Sequence, residues 1–145
     1  SSEWPNFICS NYNDSFIAVL TAPSFNSGKA DNISFDAKNN PVSVNSGFFD
    51  RCTPGTRTSD GKTSVCAGGP GELDGTGYEA GGFTGTTQGG ATGWLTTQAP
   101  IEPGEEFELD FMIWDTGDSA LDSSVLIDNF HWIAGETKLG TDRVN

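Results

Sequence analysis

The chain has 145 residues, with twenty acidic and seven basic side chains and a formal net charge of −13. This length is enough for one domain with a buried core. The few basic residues form no cluster that would bind phosphate, which argues against nucleic acid as a partner. No apolar run approaches the roughly 20 residues needed to cross a bilayer, which argues against membrane insertion. The excess of carboxylates fits a solvated extracellular surface or the binding of cations.

The composition predicts an all-β fold. Nineteen glycines and seven prolines disfavour long helices. The aromatic residues fall in short segments that are rich in valine and isoleucine, which is typical of strands. We therefore expect an antiparallel β-sandwich, arranged like a jelly roll, with a long glycine-rich loop. The expected domain covers residues 1–135, and residues 136–145 are expected to be a polar tail or linker.

In the first half of the chain, residues 16–20 are predicted to form a strand that ends before Pro23. Residues 32–49 are predicted to form a hairpin, because alternating segments flank the turn sequence "KNNP". Asn39 and Asn40 are suited to positive φ in that turn.

Three cysteines are present, Cys9, Cys52 and Cys66. The last two enclose a turn-rich loop, so a disulfide between them is predicted for an oxidising compartment. The alternative is three reduced thiols, because sequence alone does not determine connectivity.

In the second half, residues 67–93 are predicted to be one long irregular connection, because glycine is frequent throughout. Strand character resumes at residues 94–101 and again at residues 107–113, where alternate apolar residues share one face. Residues 123–134 are apolar on both faces and are predicted to form a central strand of the sandwich.

An acidic loop lies between these last two strands. "DTGDSALD" places Asp115, Asp118 and Asp122 within eight residues, and Gly117 allows the backbone to turn sharply. Calcium is bound by oxygen ligands of this kind, although the spacing is not that of an EF-hand. The alternative is a solvated polar loop. Asp128 is a weaker candidate, because a position within a strand suits a structural hydrogen bond equally well.

Nothing in the sequence indicates an enzyme. His131 is the only histidine, which excludes most zinc sites, and a structural or surface role suits it better than catalysis. No nucleophile or metalloprotease motif is present, and no pair of carboxylates is singled out for glycoside hydrolysis.

Four sequence blocks, taken in order, resemble a known family. They are "SSEWPNF" with "YNDSFIAVL", then "NISFDAKNNPVSVN", "GATGWLTT" and "FMIWDTGDSALDSSVLIDNF". Together they are similar to the choice-of-anchor L domains of bacterial extracellular proteins, and most similar to those of myxobacterial secreted and surface proteins. The resemblance implies a secreted or cell-surface β-sandwich that serves adhesion or ligand recognition, with calcium shaping its loops.

The family pattern also implies a ligand set for calcium. The acid, aromatic and proline of its first block match Glu3, Trp4 and Pro5, and its Asn-Asp pair matches Asn13 and Asp14. With the acidic loop, the implied calcium ligands are Glu3, Asn13, Asp14, Asp115, Asp118 and Asp122.

Two other functions stay open. A structural subunit of an extracellular filament or surface assembly would use exposed aromatic residues for contacts between chains. A carbohydrate-binding module would stack sugar rings on Trp4, Trp94 or Trp114, and the ligand of a recognition module would be a glycan or a peptide.

The family pattern normally has strands before its first block, whereas here that block begins at Ser1. We therefore expect Ser1 not to be the natural start. A preceding segment, or a strand donated by a neighbouring chain, is expected to complete one edge of the sandwich.

Overall fold

The computed structural model describes residues 11–56, 61, 63–78, 89–117 and 123–144, together with the backbone of Ser2–Glu3. Every strand pairing is antiparallel, and the described residues contain no α-helix, only two short 3₁₀ turns. The predicted all-β class is therefore confirmed, while the jelly-roll sandwich stays a prediction. The strands are β1 (Ser2–Glu3), β2 (Ser15–Thr21), β3 (Asp31–Asn32), β4 (Val42–Ser43), β5 (Gly55–Thr56), β6 (Thr63–Ser64), β7 (Gly90–Ala91), β8 (Leu95–Gln98), β9 (Glu108–Trp114) and β10 (Gly140–Arg143).

Strand β2 is the centre of the main sheet. It pairs with β9 along its whole length, from Ser15 opposite Trp114 to Thr21 opposite Glu108. Its other edge pairs with β4 near its start and with β3 near its end. Because side chains alternate between faces, one apolar row runs across both long strands. The core is built on that row: Ala18, Leu20, Ala22, Phe25 and Ile33 are buried, with Phe16, Ala99, Ile101, Phe107 and Leu109 packed against them.

The turn predicted at "KNNP", residues 38–41, is present, but the hairpin around it differs. The Asp36 carboxylate accepts hydrogen bonds from the backbone N–H of Lys38 and from the backbone and side-chain nitrogens of Asn40. The bond from the Asn40 side chain is the main reason why the pKa of Asp36 is lowered. Asn39 has a φ of 64°, as predicted, whereas Asn40 is not among the residues with positive φ. Beyond the turn, β3 and β4 each pair with β2.

The predicted disulfide is confirmed. Cys52 and Cys66 are joined, with their Cα atoms 5.2 Å apart, and both are buried. The loop that they close contains the short hairpin of β5 and β6. Cys9 lies outside the described residues.

Two predictions about the C-terminal part of the chain need correction. Residues 125–139 contain no strand, and most of the segment predicted as a central strand is exposed. Within the predicted polar tail, by contrast, β10 forms four residue pairs with β8. Thr141 is buried and its hydroxyl lies 2.8 Å from that of Thr97. Propensity failed at both places because a partner strand, rather than apolar character, decides where a ladder forms. The boundary at residue 135 stays a prediction.

Arginine side chains attach β10 to the middle of the chain. The Arg143 guanidinium donates to both oxygens of Asp50, at 3.0 and 2.9 Å, and to the backbone oxygen of Gly47 at 3.0 Å. Asp50 also accepts a hydrogen bond from its neighbour Arg51, at 2.7 Å. A fork of two parallel bonds to a carboxylate is stronger and more directional than a single ion pair. The carboxylate of Asp50 is thus shared by two of the seven basic residues of the chain.

We expect R143A to lower the free energy of unfolding by about 1–2 kcal/mol, because several charge-assisted hydrogen bonds are lost at a half-buried site. Urea denaturation followed by tryptophan fluorescence measures this. The control is K138A, which removes the exposed pair that Lys138 makes with Asp142 and should cost less than about 0.5 kcal/mol. Equal effects of the two substitutions would show that β10 is not anchored in this way.

Candidate functional site

The loop that precedes β2 carries a buried carboxylate. Asp14 is 8% exposed, and one of its oxygens accepts the backbone N–H of Thr116 at 3.0 Å. Its other oxygen accepts the hydroxyl of Ser123 at 2.6 Å. A buried charge is costly unless hydrogen bonds replace its water, and these two donors do so. Asp14 therefore holds together the two described ends of the acidic loop.

The neighbouring Asn13 has a similar structural task. Its side-chain oxygen accepts the backbone N–H of Asn45 at 2.9 Å, and the backbone oxygen of Asp14 accepts the N–H of Val44 at 3.2 Å. The Asn-Asp pair thus fastens the start of β2 both to the turn after β4 and to the acidic loop. Both residues were predicted as calcium ligands, and in the structure their side-chain oxygens are hydrogen-bonded to protein donors.

The first turn of the acidic loop requires glycine. Gly117 has a φ of 106°, in the left-handed region that favours glycine. A Cβ atom there would lie 2.9 Å from the Tyr12 ring and 3.2 Å from the backbone oxygen of Asn11. The sharp turn predicted at Gly117 is therefore present, and it brings the loop against the segment that contains Asp14.

The structure brings only part of the predicted ligand set into view. Asp115 is exposed at the start of the loop, whereas Asp118, Asp122 and the Glu3 side chain lie outside the described residues. Within the part of the chain that is described, no three Asp, Glu, His or Cys side chains are arranged to hold a metal. Asp128 is exposed and accepts the N–H of Asn129. The calcium site therefore stays a prediction.

The tryptophans predicted to stack on sugars do not share one surface element. Trp94 is 52% exposed and lies just before β8, whereas Trp114 is 43% exposed and ends β9 in a different sheet. Trp4 lies outside the described residues. His131 is exposed, and its Nδ1 lies 2.8 Å from the backbone oxygen of Asn129.

An open groove of about 330 Å³ lies between the turn after β2 and the connection from β8 to β9. Its polar rim includes Asn26, Asp31 and Glu102, and Asn26 donates to Asp31 at 3.3 Å. Beside it, Glu105 accepts hydrogen bonds from the hydroxyl and the N–H of Ser24. The bond from that hydroxyl is the main cause of the lowered pKa of Glu105. None of the predicted site residues lines this groove.

Sequence reasoning did not locate an exposed apolar surface that the structure shows in its described residues. It consists of two apolar stretches, residues 111–114 at the end of β9 and residues 126–133 after the acidic loop. The second stretch contacts the residue just before β9, because the Trp132 ring packs edge-on against Phe107 with the ring centroids 5.7 Å apart. The run "FMIW" is apolar on both faces of a strand, and this signal could have revealed the surface. Its members are between 42% and 72% exposed: Phe111, Met112, Ile113, Trp114, Leu126, Ile127, Phe130, Trp132 and Ile133.

The chain matches the family model of the choice-of-anchor L domain over residues 1–130. The chain belongs to this family. Choice-of-anchor L domains are extracellular, surface-associated modules of a non-catalytic, anchor type. No curated protein and no solved structure matches the chain. In the described part of this choice-of-anchor L domain, no helix is long and apolar enough to cross a membrane.

We expect D14A to lower the free energy of unfolding by about 2–3 kcal/mol, because the N–H of Thr116 and the hydroxyl of Ser123 both lose a buried acceptor. D14N should be milder, because the amide keeps one oxygen as an acceptor. Thermal and urea denaturation measure the effect. The matched control is D128A at an exposed carboxylate, which should stay within about 0.5 kcal/mol of the parent chain. A D14A variant as stable as D128A would contradict the role of Asp14.

Proposed function

We propose that this choice-of-anchor L domain is a secreted or cell-surface adhesion module that recognises a protein partner through the two apolar stretches. The observation that carries the proposal is the exposure of nine large apolar side chains on a chain with a net charge of −13. A solvated acidic surface has no need of such residues. A partner that covered them would remove their contact with water.

The energetics favour a docking role. Covering one large apolar side chain contributes roughly 1.5–3 kcal/mol, and aromatic residues dominate the energy of many interfaces. Exposed apolar patches with polar surroundings mark sites of protein interaction. Phe130 and Trp132 are about two-thirds exposed, and their ring centroids lie 5.6 Å apart. Together they form an aromatic pair that a partner could bury.

A peptide or protein fits this surface better than a glycan. Sugar recognition needs aromatic faces beside a polar groove. Trp94 and Trp114 belong to different sheets, and the open groove is lined by Phe25, which is buried. The net negative charge of the chain repels nucleic acid and anionic membranes, which argues against both as partners. We therefore take the partner to be a protein or a peptide.

Adhesion can be tested with protein-coated beads in a flow cell over cells of the producing organism. The double variant L126S/F130S should reduce bead retention by about tenfold or more, since two strongly exposed side chains of the second apolar stretch are lost. The matched control is V65S/V144S, which removes two equally exposed apolar side chains elsewhere, at 75% and 56% exposure. Melting curves confirm that both variants fold. Equal retention of the two variants would overturn the proposal.

Calcium belongs to the same proposal, as a cation bound by the acidic loop. The support is that Asp14 ties the described ends of this loop together and that Asp115 leads into it. Asp118 and Asp122 would supply further carboxylates. The family pattern adds Glu3 and Asn13 as candidate ligands. The cation would hold the loop closed and reduce repulsion among the acids. A rigid loop beside the second apolar stretch would fix the position of that stretch.

If calcium binds only the folded chain, it raises the melting temperature by mass action. At a free calcium concentration about 100 times Kd we expect a rise of about 5–10 °C over the value in chelator. D118N/D122N should abolish the rise, whereas D110N, at an exposed acid in the middle of β9, should keep it. Identical melting temperatures in chelator and in millimolar calcium would exclude the site.

A further inference from the structure

The outer edge of β9 has no partner strand among the residues that the structure describes. Among the described residues β9 pairs with β2 alone, through all seven of its residues. Six of those seven residues are exposed, Leu109 being half-buried. An open edge presents a row of backbone N–H and C=O groups to any strand of matching length, and proteins normally block such edges. A strand that is this long, exposed on both faces and apolar at one end is suited to strand addition.

The sequence of β9 complements itself in one antiparallel register. With Phe111 opposite Phe111 of a second copy, Glu108 lies opposite Trp114 and Asp110 lies opposite Met112. Leu109 then lies opposite Ile113, which continues the apolar row of the core face across the junction. Each acid thus faces an apolar residue, and no two carboxylates are directly opposite, an arrangement that would be destabilising.

Neighbouring registers are worse. A shift by two residues in one direction places Asp110 opposite Asp110 of the other copy. The same shift in the other direction places Leu109 opposite Asp115 and leaves Glu108 beyond the end of the strand. A shift by one residue would join opposite faces of the two sheets. The register centred on Phe111 uses all seven residues and separates the charges.

We propose that β9 pairs antiparallel with β9 of a second copy of this chain, about a two-fold axis at Phe111, so that the two main sheets form one continuous sheet. The inference rests on the proposed function and deepens it, since it assigns a second copy as the partner of the first apolar stretch. Such an interface is isologous and closes as a dimer. A second copy of β9 suits this edge because, in the proposed register, each acidic residue of one strand lies opposite an apolar residue of the other.

Sedimentation velocity from about 10 µM to about 1 mM tests the pairing, a range suited to a small interface. We expect a reversible monomer–dimer equilibrium in the parent chain. M112E places a carboxylate opposite Asp110 and should weaken the dimer at least tenfold, whereas M112K places an ammonium there and should leave it as tight or tighter. Met112 is 42% exposed, so both variants should fold. A monomer throughout this range, or equal effects of M112E and M112K, would overturn the proposal.

Cross-linking tests the register. In a background with Cys9→Ser, oxidation of F111C should give a disulfide-linked dimer, because the two introduced thiols lie directly opposite each other. M112C is the control: the two residues would be diagonal neighbours, about 7–8 Å apart, which is less suited to a disulfide than the directly opposite pair. Efficient cross-linking of M112C but not F111C would exclude the register. Loss of Phe111 also removes its stacking on Phe16, so a melting curve accompanies the assay.

The two proposals fail separately. A monomeric chain whose beads still depend on Leu126 and Phe130 would refute the β9 pairing and leave the adhesion function standing. A dimer that M112E weakens, with bead retention that does not depend on Leu126 and Phe130, would refute the adhesion function and leave the β9 pairing standing. Dimers that form through the segment 125–133 instead of β9 would be sensitive to L126S/F130S and not to M112E, which also refutes the pairing.

Discussion

The fold depends on one ladder, the seven antiparallel pairs between β2 and β9. This ladder joins residues about 90 positions apart and aligns Phe16, Ala18 and Leu20 with their apolar neighbours on β9. It thereby creates the core face of the sheet. The same ladder uses only one edge of β9, so the strand that organises the core also carries the exposed apolar surface. The strand that builds the core therefore also carries the apolar side chains to which we assign recognition.

Most other strands have only two residues and make few backbone bonds, so polar side chains do much of the work of fixing the loops. Asp14 gathers the acidic loop, Asp50 receives Arg51 and Arg143, and Glu105 holds Ser24. Each carboxylate is satisfied by several donors, which is the condition under which such groups stabilise a fold. In a chain with twenty acids and seven basic residues, backbone N–H and hydroxyl groups supply most of these donors.

Local signals predicted the strands at β2, β8 and β9, the Asn39 turn and the cysteine pair, because alternation, turn residues and spacing are written in neighbouring residues. Partner-dependent features were missed. Gly140 begins β10 with a φ of 119° and packs closely on the Phe35 ring, so a polar tetrapeptide becomes a strand through its neighbours. Residues 125–133 have strand composition but no ladder. At the candidate site the family pattern singled out Asn13 and Asp14 as calcium ligands, but the sequence did not reveal the protein donors from which their side-chain oxygens accept hydrogen bonds.

Repulsion between carboxylates would oppose the proposed pairing of β9 near the acidic loop. In the register proposed for β9, residue 115 of one copy lies opposite Phe107 of the other, so the acidic loop of one copy lies at the end of the partner strand where Glu106 and Glu108 carry negative charge. Two chains that each carry a net charge of −13 also repel each other, and at physiological salt this repulsion is screened beyond a Debye length of about 8 Å. A cation bound at the acidic loop would offset both terms and would strengthen the pairing of β9. By thermodynamic reciprocity, dimerisation would raise the affinity for that cation by the same factor by which the cation raises the affinity of the dimer. Cation binding at the acidic loop and pairing at the outer edge of β9 would thus be coupled.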